Sequence, residues 1–162
     1  MNIIRGNIIE LSVDVIVNSA HPTLLAGGGV SGVIHRVAGP ELEAAAKPLG
    51  PIAPGQAVTT KAFGLIAKRV IHAVAPRYLR KTNEEEILLA KTYASVLTEF
   101  GKLSGMKSLA FPAMGTGIYG WPLEIAARIA VTALKNSSVE ELIFCVFDEA
   151  AEVAFQEALE EH

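Results

Sequence analysis

The chain has 162 residues, of which 51% are hydrophobic and 19% are charged, and its net charge is −3 at pH 7. This length is typical of one domain, and the composition is too apolar for a disordered chain. No apolar run reaches the roughly 18 residues of a membrane helix. The single cysteine excludes an internal disulfide, and the negative charge argues against a nucleic-acid-binding surface.

The first residues, Met1–Asn7, lack the basic start and long apolar stretch of a secretion signal. We therefore expect one cytoplasmic domain over residues 1–162. It is expected to bind neither a membrane nor a nucleic acid.

Six short segments rich in Val, Ile, Leu and Phe predict β-strands, because each is brief and is followed by turn residues. The predicted strands are Ile8–Leu11, Asp14–Asn18, Ala57–Thr60, Arg69–Val74, Ser108–Pro112 and Glu141–Phe147.

Four other segments predict helices. The longest begins with the spacing of a capping box, Asn83 with Glu86, and continues as an apolar stripe at helical spacing. A proline suited to the first helical position and an aspartate suited to an N-cap mark two more starts. The expected helices are a short one from about Ser31 to Ala38, the long one from Asn83, one from Pro122 and one after Asp148.

Strands that alternate with helices predict an α/β protein, a three-layer α/β/α sandwich. In such folds ligands bind outside the carboxyl ends of the strands, so the loops at that edge are expected to carry the function.

Two glycine-rich segments lie in such loops. Gly27–Gly32 precedes the short helix, and Gly115–Gly120 precedes the helix at Pro122. Glycines let a backbone approach a ligand closely, and helix N-termini attract anions, so two such loops can clamp a diphosphate. Both match G-x-G-x-x-G, but the eight residues Ser19–Ala26 separate the first from its strand, unlike a dinucleotide-binding unit. A G-x-x-x-x-G-K-[ST] motif is absent, which argues against a nucleoside triphosphatase.

The residues around these loops closely resemble the signature of macrodomains. The matching segments, in the family's order, are Val15–Ala20, Leu24–Gly39, Gly55–Thr60, Arg69–Val74 and Phe111–Pro122, and the likeness runs from about Asn2 to Phe155. The resemblance implies a mixed, six-stranded sheet between helices, with ADP-ribose bound across the strand ends and no cofactor.

The resemblance also implies roles for particular residues. Asn7 and Ile8 lie where the family holds adenine, and Phe147 lies where an aromatic ring stacks near that base. Asn18 matches the asparagine that hydrogen-bonds the distal ribose, a role that suits a carboxamide because it both donates and accepts. Tyr119 lies where a side chain covers that ribose. The diphosphate and the distal ribose are expected at Gly27, Gly28, Gly29, Val30, Gly115, Thr116, Gly117 and Ile118.

Three positions depart from the family's pattern. Asn7 stands where an acidic residue usually reads the adenine amino group, and its amide oxygen can still accept that bond without a full charge. His21 stands where many members have a second asparagine, and a histidine can act as base or acid near neutral pH. Ser31 replaces an aspartate of hydrolytic members, and a serine needs activation. The candidate catalytic residues are Asn18, His21 and Ser31.

Other notable side chains are interpreted as structural. His35 is expected to pack in the short helix, and His72 in or beside the core of its strand. Cys145 is interpreted as a buried strand residue, and Asp14 as the start of a strand. Trp121 either walls the pocket or covers a helix end. Since the four histidines have no carboxylates at ligand spacing, a zinc or magnesium site is not expected.

Three functions follow from these observations. The leading prediction is a metal-independent hydrolase of an ADP-ribose monoester: O-acetyl-ADP-ribose, a mono-ADP-ribosylated protein or ADP-ribose phosphate. In it Asn18 orients the distal ribose, and a water held by the substrate's phosphate attacks with help from His21 or Ser31. The alternative is a module or sensor that binds ADP-ribose or a related NAD metabolite without turnover. An RNA-associated or protein-inhibitory role is third, since the net charge of −3 opposes RNA binding.

Overall fold

Six strands form one mixed sheet covered by five α-helices in the computed structural model, which describes residues 1–161. The strands are β1 (Asn2–Arg5), β2 (Val15–Ser19), β3 (Ala57–Lys61), β4 (Arg69–Ala73), β5 (Ser108–Phe111) and β6 (Glu141–Val146). The helices are α1 (Gly29–Ala38), α2 (Pro40–Ala46), α3 (Asn83–Gly101), α4 (Leu123–Leu134) and α5 (Glu149–Glu161). Over the same residues, no helix has both the length and the apolar character needed to cross a membrane.

The sheet has the strand order β1-β6-β5-β2-β4-β3. Every neighbouring pair is parallel except β3 with β4, which is antiparallel. The carboxyl ends of the other five strands therefore lie along one edge of the sheet. The connections that follow β1, β6, β5 and β2 leave from that edge side by side, although they are far apart in sequence.

Alternating side chains of each strand feed two separate cores. On β2, Val15 and Val17 pack with residues of α3, α4 and α5, whereas Ile16 packs with residues of α1 and α2. This period of two places Asn18 on the α1 side of the sheet. On β4 the same alternation places His72 on the α1 side. Because helices cover both faces, the predicted three-layer sandwich with a six-stranded mixed sheet is confirmed.

The N-terminal segment differs from the predicted pattern. The strand expected at Ile8–Leu11 is wrong, because Ile8–Glu10 forms a 3-10 helix and the edge strand is β1, which pairs with β6. The Asn7 side chain caps this turn, since its Oδ1 accepts a hydrogen bond from the Ile9 N–H at 3.2 Å. A local side-chain bond thus stabilises a turn where the apolar residues alone suggested extended backbone.

The helix starts lie close to the predicted positions, with two differences. A capping box begins α3 one residue earlier than predicted: Thr82 Oγ1 accepts from the Glu85 N–H at 3.3 Å, and Glu85 Oε1 accepts from the Thr82 N–H at 3.2 Å. Helix α2, whose first position is Pro40, was not predicted. As predicted, Asp148 caps α5 by accepting from the Ala151 N–H at 2.9 Å.

Asp14 joins the amino-terminal ends of two central strands. Its Oδ2 accepts hydrogen bonds from the N–H groups of Lys107 at 2.7 Å and Ser108 at 3.2 Å, and its own N–H donates to Ser108 Oγ at 2.7 Å. The Lys107 bond contributes most to holding the pKa of this carboxyl below its ordinary value of 3.8. The ammonium of Lys68, an exposed side chain, lies 3.4 Å from the other oxygen.

Asp14→Asn is expected to lower the free energy of unfolding by about 2 kcal/mol at neutral pH, since a charged acceptor of two backbone N–H groups is lost. The folded pKa lies below the unfolded one, so this contribution is present above the unfolded pKa and is lost as the pH falls through the folded pKa. The difference between the two proteins should therefore be constant well above pH 3.8 and shrink as the pH falls below about 3.8 toward the folded pKa. Urea unfolding across this pH range measures the difference.

The matched control is Lys68→Gln, which removes only an exposed ion pair and should cost about 0.5 kcal/mol or less. An equal loss in both variants would contradict the assignment of the stabilisation to the backbone bonds.

Candidate functional site

The carboxyl edge of the sheet brings the predicted site segments together. Asn7 follows β1, Phe147 follows β6, Gly115–Gly120 follows β5, and Gly27–Gly32 follows β2, in which Asn18 lies. Because these four strands are parallel neighbours, segments more than a hundred residues apart become adjacent along one line. This edge is where open α/β sheets bind ligands.

One end of this line combines a small polar side chain with an exposed ring. Phe147 is 61% exposed immediately after β6, whereas Ile8 is buried in the core on the α1 side of the sheet. The Gly6 N–H donates to the Val146 carbonyl at 2.9 Å, which holds the two strand ends together. Asn7 Oδ1 is engaged with its own 3-10 turn. The arrangement offers a free aromatic face for stacking and amide groups for polar contacts.

Asn18, in β2, lies at the end of the line opposite to Asn7 and is only 1% exposed. Its Nδ2 lies 3.2 Å from His72 Nδ1 and 3.4 Å from Ser31 Oγ. Within residues 1–161 its Oδ1 has no hydrogen-bond partner. Leaving a buried acceptor unpaired costs free energy, so such an atom marks a place where a ligand hydroxyl would be bound favourably.

Ser31 is brought against Asn18 by the first turn of α1. Its side chain is buried, and its Oγ lies 3.4 Å from Asn18 Nδ2. No histidine or carboxylate in the described part of the chain hydrogen-bonds this hydroxyl. Ser31 is thus positioned beside Asn18 but has no general base that would make it a nucleophile.

His21 is held within its own loop. The ring is exposed, and its Nδ1 accepts from the Thr23 N–H at 3.2 Å and contacts Thr23 Oγ1 at 2.9 Å. Across residues 1–161 the ring has no hydrogen bond to Asn18 or Ser31. The fold therefore brings Asn18 and Ser31 into contact, whereas His21 remains apart from both.

The first glycine loop leads into an open helix end. The N-cap of α1 is Gly28, which provides no side-chain cap, and Gly29 has a φ of +56°. A Cβ on Gly32 would lie 2.5 Å from the Gly27 carbonyl oxygen, so this close approach requires glycine. The uncapped N–H groups and the positive end of the helix dipole suit an anion.

The second glycine loop is folded around a buried tryptophan. Gly115 has a φ of +83°, and a Cβ there would lie 2.6 Å from Trp121 Cδ1. The Gly115 carbonyl accepts from the Trp121 N–H at 3.0 Å, and Trp121 Nε1 donates to the Pro76 carbonyl at 2.8 Å. Gly120, with a φ of +81°, closes a turn by donating to the Gly117 carbonyl at 3.1 Å. Trp121 therefore supports the loop from below and does not wall the site.

The tip of this loop carries the residues expected near the distal ribose. Ile118 is 92% exposed, and Tyr119 is partly buried beneath the Arg77 guanidinium, which lies 5.0 Å from the centre of its ring. The Thr116 hydroxyl donates to the Ala113 carbonyl at 2.8 Å and so stabilises the turn itself. The tip presents apolar and aromatic surface from a rigid base.

Two buried histidines, His35 of α1 and His72 of β4, lie on the same side of the sheet as Asn18. Their ring centroids are 6.3 Å apart, and burial lowers the pKa of His72 to about 3 and lowers that of His35 as well. Cys145 is buried in β6, and desolvation raises the pKa of its thiol. All three are packed, as predicted. In the part of the chain that the structure describes, no three His, Cys, Asp or Glu side chains are grouped to hold a metal ion.

Sequence reasoning missed the network behind Asn18. Thr60 was not singled out, yet its Oγ1 lies 3.0 Å from His72 Nε2. The available signal was the alternation along β3 and β4, which places polar residues on the α1 side. The network from Thr60 through His72 to Asn18 depends on the pairing register of three strands, which local spacing does not reveal.

Comparison with known proteins identifies the family. The family model "Macro domain" matches residues 17–130. The chain is a macrodomain. The macrodomain is 43% identical to a macro domain-containing protein of Streptomyces griseus, over 98% of this chain and 94% of that protein. It is 41% identical to a protein of Cronobacter turicensis named O-acetyl-ADP-ribose deacetylase, over 98% and 95% of the two chains.

A solved mutant of the Oceanobacillus iheyensis macrodomain with ADPR matches the fold at a TM-score of 0.91. It is 34% identical, and the match covers 98% of this chain and 91% of that one. The resemblance found in the sequence is thus confirmed for the whole fold.

Gly115→Ala is expected to lower the free energy of unfolding of this macrodomain by about 2 kcal/mol, because a side chain there is strained at positive φ and collides with Trp121. The displaced ring should also change the fluorescence of Trp121, the single tryptophan of the chain. Urea unfolding and emission spectra provide the two measurements.

Gly117→Ala is the control within the same loop, since a Cβ there meets open space. Its effect should stay within about 0.5 kcal/mol, with an unchanged spectrum. Equal effects of the two substitutions would show that Trp121 does not anchor the loop.

Proposed function

We propose that this macrodomain binds ADP-ribose along the carboxyl edge of its sheet and hydrolyses an ADP-ribose monoester, with O-acetyl-ADP-ribose as the leading substrate. The observation that carries the proposal is the unpartnered, buried Asn18 Oδ1 beside the uncapped N-terminus of α1. Relatives 41% and 42% identical are named O-acetyl-ADP-ribose deacetylase, which supports a hydrolase. The solved macrodomain with ADPR supports the ligand.

The diphosphate is assigned to the space between the two glycine loops. The N–H groups of Gly27, Gly28, Gly29 and Val30 lie at the positive end of α1, where no side chain competes for them. The loop from Gly115 through Thr116 and Gly117 to Ile118 would close over the other side. Asn18 Oδ1 would accept a hydroxyl hydrogen of the distal ribose, and Tyr119 would cover that sugar.

The base is assigned to the other end of the line. The exposed ring of Phe147 would stack on it, and Ile8 would support the connection from below. Asn7 would contact the edge of the base. Its Oδ1 already accepts from the Ile9 N–H, so a second bond to an amino group would use the remaining lone pair of the same oxygen.

The proposed chemistry is ester hydrolysis at the distal ribose. A water held by the substrate's phosphate adds to the acyl carbon, the ribose oxygen leaves with a proton, and acetate and ADP-ribose are released. The exposed imidazole of His21 is the candidate for proton transfer. Ser31, which lacks a base, would instead hold the water or a ribose hydroxyl beside Asn18. No metal ion takes part in this scheme.

The same chemistry extends to a mono-ADP-ribosylated protein, because an acidic side chain joined to the distal ribose is also an ester. ADP-ribose phosphate would use the same binding surface. The single cysteine is free and buried, which fits the cytoplasm as the proposed compartment.

A second candidate function is a reader of ADP-ribose that does not turn it over. It is favoured by one observation: His21 is tied to Thr23 and Ser31 to Asn18, so no acid–base pair is assembled in the structure. Saturable ADP-ribose binding without release of acetate from O-acetyl-ADP-ribose would select this function.

Asn18→Ala is expected to lower kcat/KM for O-acetyl-ADP-ribose, and the affinity for ADP-ribose, at least about tenfold, because the acceptor of the ribose hydroxyl is removed. Calorimetric titration and acetate release measure the two effects. Asn136→Ala, at an exposed position beyond α4, is the control and should leave both unchanged. Unchanged turnover by the Asn18 variant would refute the proposed site.

Asn7→Asp is expected to raise the preference for ADP-ribose over its guanine analogue about tenfold. One carboxylate oxygen would keep the Ile9 N–H bond, while the second would accept from the adenine amino group but repel the guanine carbonyl. Calorimetric titration of both nucleotides against both chains gives the ratio. If the ratio does not change, residue 7 does not contact the base.

A further inference from the structure

A chain of hydrogen bonds crosses three strands behind Asn18. Thr60 Oγ1 of β3 lies 3.0 Å from His72 Nε2 of β4, and His72 Nδ1 lies 3.2 Å from Asn18 Nδ2 of β2. All three side chains are buried, His72 completely. In the parallel pairing of β2 with β4, Asn18 and His72 are direct partners, which accounts for the contact between their side chains.

A count of hydrogens assigns the donor and the acceptor in each of these hydrogen bonds. The Thr60 hydroxyl has one hydrogen, and it donates that hydrogen to the Lys61 carbonyl at 2.9 Å. Toward His72 the hydroxyl can therefore act only as an acceptor. The hydrogen of the imidazole must then lie on Nε2.

The imidazole itself is uncharged. Burial, with a smaller contribution from nearby His35, lowers the pKa of His72 to about 3. A neutral ring with its hydrogen on Nε2 has a lone pair on Nδ1. That lone pair can accept only from the NH₂ group of the Asn18 carboxamide, so the amide nitrogen faces His72.

The opposite tautomer would reverse this orientation. With a hydrogen on Nδ1, the ring would donate to the amide oxygen, and the carboxamide would have to turn by half a rotation. The NH₂ group of Asn18 would then replace the oxygen as the group without a protein partner. An acceptor and a donor select different ligand atoms, so the tautomer of a residue outside the site decides which group the site presents.

We propose that Thr60 and His72 are positioning residues that hold the Asn18 carboxamide with its oxygen free to accept a hydroxyl hydrogen from the ligand. The inference rests on the proposed role of Asn18 in binding the distal ribose. Neither residue contacts the ligand in this arrangement. Thr60 acts through the tautomer of His72, and His72 acts through the orientation of the amide.

The test compares Thr60→Val with Thr60→Ser. Valine has the shape of threonine without the acceptor for the Nε2 hydrogen, whereas serine keeps the hydroxyl. We expect Thr60→Val to weaken ADP-ribose binding and raise KM for O-acetyl-ADP-ribose about tenfold, with a smaller change in kcat, because bonds to the ribose contribute to ground-state binding. Thr60→Ser should stay within about twofold of the wild type.

A second measurement is independent of any ligand. The ¹⁵N spectra of labelled histidine report which ring nitrogen carries the hydrogen. We expect the Nε2–H tautomer of His72 in the wild type and in Thr60→Ser, and a mixture with the Nδ1–H tautomer in Thr60→Val. A merely structural role of Thr60 would lower Tm without changing the tautomer.

The outcomes separate this inference from the proposed function. An Nδ1–H tautomer in the wild type would overturn the inference, and so would a Thr60→Val chain with unchanged tautomer and unchanged binding. If the wild type binds no ADP-ribose, the proposed function is wrong, and the histidine spectra alone then decide whether Thr60 and His72 orient Asn18.

Discussion

The parallel pairing of β1 with β6, of β6 with β5 and of β5 with β2 directs four chain segments to the same edge of the sheet. The rest of the site depends on this pairing. It places the Asn7 turn, Phe147, the loop at Gly115–Gly120 and the loop at Gly27–Gly32 in one line, with Asn18 at the end opposite to Asn7. Segments in this order match an extended ligand with a base at one end and a sugar at the other, joined by a diphosphate.

The site is supported from below by a small polar cluster inside an otherwise apolar layer. Asn18, Ser31, Thr60 and His72 are all buried on the α1 side of the sheet. Burying them is costly unless their polar atoms are paired, and the chain of bonds from the Lys61 carbonyl to Asn18 Nδ2 provides most of that pairing. The Asn18 oxygen has no partner, and neither do the two ring nitrogens of His35 in the same layer. Of these atoms, the Asn18 oxygen is the one at the position proposed for the ligand.

Much of the fold could be predicted because its strands are short and strongly apolar. The segments around β2, β4, β5 and β6 were located within one or two residues, and so were the starts of α3, α4 and α5. The error at Ile8–Leu11 has a physical cause: two isoleucines after an asparagine suit a strand and a side-chain-capped turn equally well, and the Asn7 bond selects the turn. The cap of α3 was displaced by one residue because Thr82 and Asn83 are both good caps.

The family and the two glycine loops could be identified from the sequence, because these are properties of contiguous residues. The role of Asn18 was predicted from the same residues. The burial of His35, His72 and Cys145 could also be predicted, since each lies among apolar residues at strand or helix spacing. The three-dimensional fold was needed to show that His21 is turned into its own loop and that Trp121 supports the second loop. It alone joined Thr60 to His72 and His72 to Asn18. Such contacts depend on strand register, which is set by the packing of the whole sheet between its helices and not by the spacing of residues along the chain.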